Sequence, residues 1–173
     1  MTADEQRAVA VGPAVAAPER DLGPAVRFPP PLPYVMAFLL GALLDRVAPL
    51  PRQLPAWIRM PRLGLVLMVG GIALVFAGIV TFRRHRTAVH PNRPARSLVT
   101  TGVYAHTRNP MYLGFTVAYL GGVIATGQTW PLLLLPVVLS LILLLVIARE
   151  EEHLHERFPV EYDAYASRVR RWL

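Results

Sequence analysis

"LGLVLMVGGIALVFAGIVTF", residues 63–82, carries no charged side chain. A helix needs about 20 predominantly apolar residues to cross the hydrocarbon of a bilayer. This stretch therefore reads as a transmembrane helix and sets the class of the chain. Arginines bound it, with Arg59 and Arg62 before it and Arg83, Arg84 and Arg86 after it.

Composition agrees. Of 173 residues, 54% are hydrophobic and 17% charged, with a mean hydropathy of +0.40, against about 45–50% apolar and about 25% charged in soluble domains. With no cysteine in the chain, disulfides, thiolate zinc sites and cysteine nucleophiles are excluded. All 18 basic residues are arginine, and the net charge is +7. These arginines flank apolar spans instead of lining a soluble basic face, which favours anionic lipid surfaces over nucleic acid as a partner.

Working outward from residues 63–82, "RRHRTAVHPNRPARS" (83–97) is a basic loop. Apolar segments at 110–127 and 130–148 follow and read as a helical hairpin. Upstream, "YVMAFLLGALLDRVAPL" (34–50) is apolar but short, with Asp45 and Arg46 near its end, and it either spans or re-enters. A Pro- and Arg-rich connector fills 51–62, and residues 1–33 read as a disordered tail with a polyproline approach to the first helix. After residue 148 the chain turns charged and amphipathic. Pro159 divides it into helices at 149–158 and 159–171, with Leu154, Phe158, Tyr162, Tyr165 and Val169 forming an apolar stripe. The expectation is an all-α integral membrane protein: about four transmembrane helices and amphipathic cytoplasmic C-terminal helices, one domain over 34–173. By arginine bias the 83–108 loop and the C-terminus are cytoplasmic. The cytoplasmic membrane of a bacterium is the expected location.

Two polar stretches stand at the ends of these spans. In "SLVTTGVYAHTRNPMYLGF" (97–115), Asn109 and Pro110 suit the N-cap and first position of a helix. That leaves Tyr104, His106, Arg108 and Tyr112 at the same edge, where they offer hydrogen bonds, ring faces and a cation beside a helix N-terminus. In "REEEHLHERF" (149–158), three adjacent carboxylates follow directly on an apolar span. A carboxylate facing a bundle interior at that depth is a functional candidate. Helical geometry puts Glu150 and Glu151 on neighbouring faces and points Glu152 away, so either of the first two can hold a cationic group or act as a base. The five histidines lack metal-ligand spacing, so no metal is expected. Gly70, Gly71, Gly121 and Gly122 read as helix-packing residues.

Together, "SLVTTGVYAHTRNPMYLG" and, two spans later, "EEHLHERFPVEYDAYASRVRRWL" resemble the isoprenylcysteine carboxyl methyltransferase and phospholipid methyltransferase superfamily of integral membrane enzymes. The resemblance covers about residues 63 to 173. It implies S-adenosylmethionine as cofactor, with Arg96, Ser97, Leu98, Val99 and Tyr104 in the cofactor loop. The family's Arg-His-Pro-x-Tyr would be Arg108, Asn109, Pro110, Met111 and Tyr112. Its carboxylate maps to Glu150, also a cofactor contact, with Glu151 adjacent. Catalytic roles fall to Glu150, Glu151 and Arg108. Asn109 in place of histidine cannot titrate near neutrality. Val146 stands where the prenylcysteine enzymes carry an arginine, which argues against a prenylcysteine substrate. The implied reaction is methyl transfer to a carboxylate, hydroxyl or amine of a lipophilic membrane acceptor. An NADPH-dependent sterol-type reductase and a non-catalytic lipid-binding protein on the same scaffold are the other readings.

Overall fold

The computed structural model describes residues 29–50, 54–85 and 97–172. These residues are helical, with no strand among them. Helix α1 spans Pro31–Val47, α2 Pro61–Arg84, α3 Pro110–Thr126 and α4 Thr129–Ile142. A π-helical stretch, Leu143–Ile147, joins α4 to α5 (Ala148–Arg157), and α6 follows at Pro159–Ala166. The expected tail and the basic loop lie largely outside the described residues.

Two helices are long and apolar enough to cross a membrane, Pro61–Arg84 and the continuous Thr129–Arg157. The other two expected spans, α1 and α3, have 17 residues each, about 25 Å of helix against about 30 Å of hydrocarbon. The outer faces of the bundle are apolar: Val66 is 66% exposed, Leu144 65% and Leu39 60%. A soluble monomer rarely leaves such a surface in water.

Helix α1 starts three residues earlier than expected, at Pro31. Proline is tolerated in a first turn because the N–H it lacks has no intrahelical acceptor there. Its far end supports α4 from outside. Asp45 accepts from the Trp130 N–H at 3.2 Å, and Trp130 Nε1 donates to Ala48 O at 2.9 Å. An acidic side chain at a helix N-terminus also complements the macrodipole. Pro159 ends α5 and opens α6 as the sequence requires. The second C-terminal helix stops at Ala166, short of the expected 171.

The expected α3–α4 hairpin takes a different form. The two helices are joined through Gly127 and Gln128, but α3 packs chiefly along α2, and α4 along α1. Glycines decide this. Gly64, Gly71 and Gly78 recur every seven residues on α2. A Cβ on Gly64 would lie 2.5 Å from Ala125 N, and one on Gly71 2.5 Å from Ala118 N. From the α3 side, a Cβ on Gly114 would lie 2.6 Å from Gly71 O, and one on Gly121 2.6 Å from Gly64 O. Small residues let two backbones approach where lipid supplies no hydrophobic drive. Across the other side of α3, tyrosines hold α4 at a distance, and Tyr119 donates to Pro131 O at 2.7 Å. Gly71 and Gly121 thus pack as expected. Gly122 abuts the Phe38 ring, while Gly70 faces open space.

Candidate active site

Where α3 begins and α5 leaves α4, four segments converge: residues 97–109, the first turn of α3, α5 with α6, and the residues after α6. The loop enters through a 3₁₀ turn, Gly102–Ala105. Gly102 sits over Thr81 at φ 61°, a left-handed conformation that favours glycine. That turn drives Tyr104 inward, 5% exposed, with its ring 4.9 Å from that of Phe82. Tyr165 of α6 donates to Tyr104 O at 2.7 Å and holds the turn down. Among the described residues the Tyr104 hydroxyl, though buried, has no hydrogen-bond partner. Burial and the nearby Glu150 carboxylate push its phenol well above the ordinary range.

Asn109 precedes α3, and its carbonyl accepts from Leu113 N at 3.0 Å. Asn109 occupies the N-cap position as expected, but its side chain makes no capping bond to the helix. Instead Nδ2 donates to Arg171 O at 3.1 Å. Pro110 occupies the first turn and is buried, as expected. In the same turn, Tyr112 donates to Oε1 of Glu150 at 2.8 Å. Burial raises the Glu150 carboxyl above the usual carboxylate range, the Tyr112 hydrogen bond pulls it back, and Glu151 adds to the rise.

Glu151, on the neighbouring face, meets two guanidiniums. Arg171 donates from Nε to Oε1 at 3.0 Å and from Nη2 to Oε2 at 2.6 Å. Arg108 Nη1 stands 3.4 Å from Oε1 and donates to Tyr162 OH at 3.1 Å. The Arg108 Nε is buried and has no acceptor among the described residues. Glu152 is exposed.

The structure thus brings Tyr104, Arg108, Tyr112, Glu150 and Glu151 together. Val99 is buried in the same loop, and Ser97 and Leu98 are half-buried; Ser97 Oγ, like the Tyr104 hydroxyl, has no partner among the described residues. Met111 lies against Gly78. Arg96 falls outside the described residues. His106 is exposed and stands apart from the cluster with which its position in sequence grouped it. Tyr162 and Tyr165 were legible as an apolar stripe, and their hydroxyls serve the cluster. Arg171 lies in the C-terminal stretch that carries the family resemblance, but the sequence assigned it no role at the site. Val146 is fully buried in the core, so no cation occupies its place.

A mostly apolar helical bundle with a polar cluster of tyrosine, arginine and glutamate at one end defines a membrane protein with a candidate chemical site. Residues 60–161 match the phospholipid methyltransferase family model, and the chain belongs to that family, which places it among membrane methyltransferases. Comparison with curated proteins and with solved structures finds no match.

Proposed function

We propose that the chain transfers a methyl group from S-adenosylmethionine to a carboxylate, hydroxyl or amine of a lipophilic acceptor held in the membrane. The observation that carries this reading is the Tyr112–Glu150 hydrogen bond beside buried polar atoms that lack partners, the Tyr104 hydroxyl and Arg108 Nε. Buried donors left unbonded cost about 1–3 kcal/mol each, so their persistence suits a site that completes them with a ligand.

The donor set fits the cofactor. Arg108 offers an N–H to a carboxylate, Glu150 a carboxylate to a cationic group, and Tyr104 a hydroxyl to a polar edge. In this reading Ser97, Leu98, Val99, Asn109, Pro110 and Met111 are assigned to the surrounding wall, with Arg96 just upstream. When bound, S-adenosylmethionine supplies an electrophilic methyl whose C–S bond breaks as the bond to the acceptor forms, the sulfur keeping the electron pair.

The chain's own part is alignment and exclusion of water. A carboxylate acceptor needs no base. An amine acceptor must lose a proton, and Glu150 takes that role because both oxygens of Glu151 are already held by Arg171. Asn109 is tied to Arg171 O and shuttles no proton. The fully buried Val146 offers no cation to a prenylcysteine carboxylate, which points to another lipophile.

In this reading α1 and α3 complete a four-span bundle with α2 and α4. In the same reading the site faces the cytoplasm of a bacterial cell, an orientation that the arginines of residues 83–108 and those after residue 148 support. Titration of detergent-purified protein with S-adenosylhomocysteine, alongside NADPH, tests the proposal. Saturable binding of the first supports it. Binding of NADPH instead would move the chain to reductase chemistry.

A further inference from the structure

Residues 107–109 grip the backbone that follows α6. Thr107 Oγ1 and Asn109 Nδ2 both donate to Arg171 O, at 3.2 and 3.1 Å. Arg108 N donates to Arg170 O at 3.0 Å. Trp172 packs against the hydrophobic core. The backbone so fixed, the Arg171 side chain meets Glu151 as a two-pronged pair that occupies both carboxylate oxygens.

Arg108 is the second cation on the same carboxylate. It stands off at 3.4 Å from Oε1, and its buried Nε finds no acceptor among the described residues. Two guanidiniums therefore share one negative charge, and the inward one is not fully engaged. A guanidinium and a carboxylate pair best through two parallel hydrogen bonds. With Arg171 gone, the two-pronged contact that holds Glu151 in its present orientation is lost. From 3.4 Å, a small side-chain rotation would let it close on Arg108 and use up the spare cation.

We propose that Arg171 is a positioning residue that keeps Glu151 from capturing Arg108, and so leaves Arg108 to receive the anionic end of the ligand. The inference rests on the reading of Arg108 as the group that binds the cofactor's carboxylate. Arg171 lies beyond the 60–161 stretch matched to the family.

A plain structural staple makes a different prediction, and a double substitution separates the two. The full chain in detergent is titrated calorimetrically with S-adenosylhomocysteine as wild type, as Arg171→Ala, and as Arg171→Ala with Glu151→Gln. The expected result is affinity weakened about tenfold or more in Arg171→Ala, the scale of one charge-assisted hydrogen bond. Adding Glu151→Gln should recover most of that loss, because no carboxylate remains to capture Arg108. An unchanged dissociation constant in Arg171→Ala overturns the inference, and so does a double variant no better than the single one. If thermal unfolding shows Arg171→Ala to be misfolded, Arg171→Gln replaces it in both positions of the test. Failure of the wild type to bind overturns the reading of the whole site and this inference with it. Binding by the wild type without rescue overturns this inference alone.

Discussion

Tyr112, in the first turn of α3, donates its hydroxyl hydrogen to Oε1 of Glu150, 38 residues further on, at 2.8 Å. The bond ties the start of one helix to the carboxylate that leaves another. It supports an anionic Glu150 in a place where burial favours the neutral acid.

The pH dependence follows from that balance. If Glu150 must be ionised to hold a cationic group, binding is lost as pH falls through its raised pKa, well above the usual glutamate value of about 4.3. Tyr112→Phe removes the contact that lowers that pKa, so the acidic limb should move to still higher pH. Affinity for S-adenosylhomocysteine measured across pH in both proteins checks the sign. A shift toward lower pH would refute it.

Tyr104→Phe separates stability from binding. Its hydroxyl bonds to no described residue, so removing it should leave the thermal unfolding temperature unchanged or slightly raised. Binding of S-adenosylhomocysteine should weaken by about tenfold. A fall in unfolding temperature with unchanged affinity would show that the hydroxyl serves the fold.

The glycine seam between α2 and α3 predicts a position-specific cost. Gly71→Ala drives a methyl into Gly114 O and the Ala118 backbone, whereas Gly70→Ala meets nothing within 4 Å. Overpacking of this kind costs about 1–3 kcal/mol. Thermal unfolding in detergent should separate the neighbours clearly, with Gly70→Ala close to wild type. Equal effects at both positions would remove the seam from the account.

Asn109→Ala removes the Nδ2 donor to Arg171 O and leaves the Thr107 hydroxyl bond in place. Stability should fall by about 1 kcal/mol, with faster hydrogen exchange at the amides of residues 170–172. Unaltered exchange there would mean that Asn109 does not anchor the segment.

Local pattern carried much of this molecule. The charge-free run at 63–82, the Pro159 break and the stripe through Tyr162 and Tyr165 each need only a few neighbouring residues, and each appears in the structure. So does the meeting of the 97–112 loop with Glu150 and Glu151, which the family resemblance suggested. What sequence missed depends on distant partners. Asn109 looks like a cap in isolation, yet its amide is drawn off by a carbonyl 62 residues away. The hairpin expectation followed chain proximity, while the choice of α2 as the partner of α3 rests on glycines spaced seven apart that match across two helices. The π-helical stretch at Leu143–Ile147, an irregularity often found at functional sites, leaves no mark in an unbroken apolar run.

The most direct measurement is recovery of label in the lipid extract after membranes carrying the chain are incubated with S-adenosylmethionine labelled on its methyl group. Wild type should transfer label to an organic-soluble acceptor, and Glu150→Gln, folded and present at equal level, should transfer none. Full transfer by Glu150→Gln would contradict the role given to that carboxylate. Absence of transfer by wild-type membranes that bind S-adenosylhomocysteine and contain diverse lipophilic molecules would contradict the claim that the acceptor is a lipophile held in the membrane.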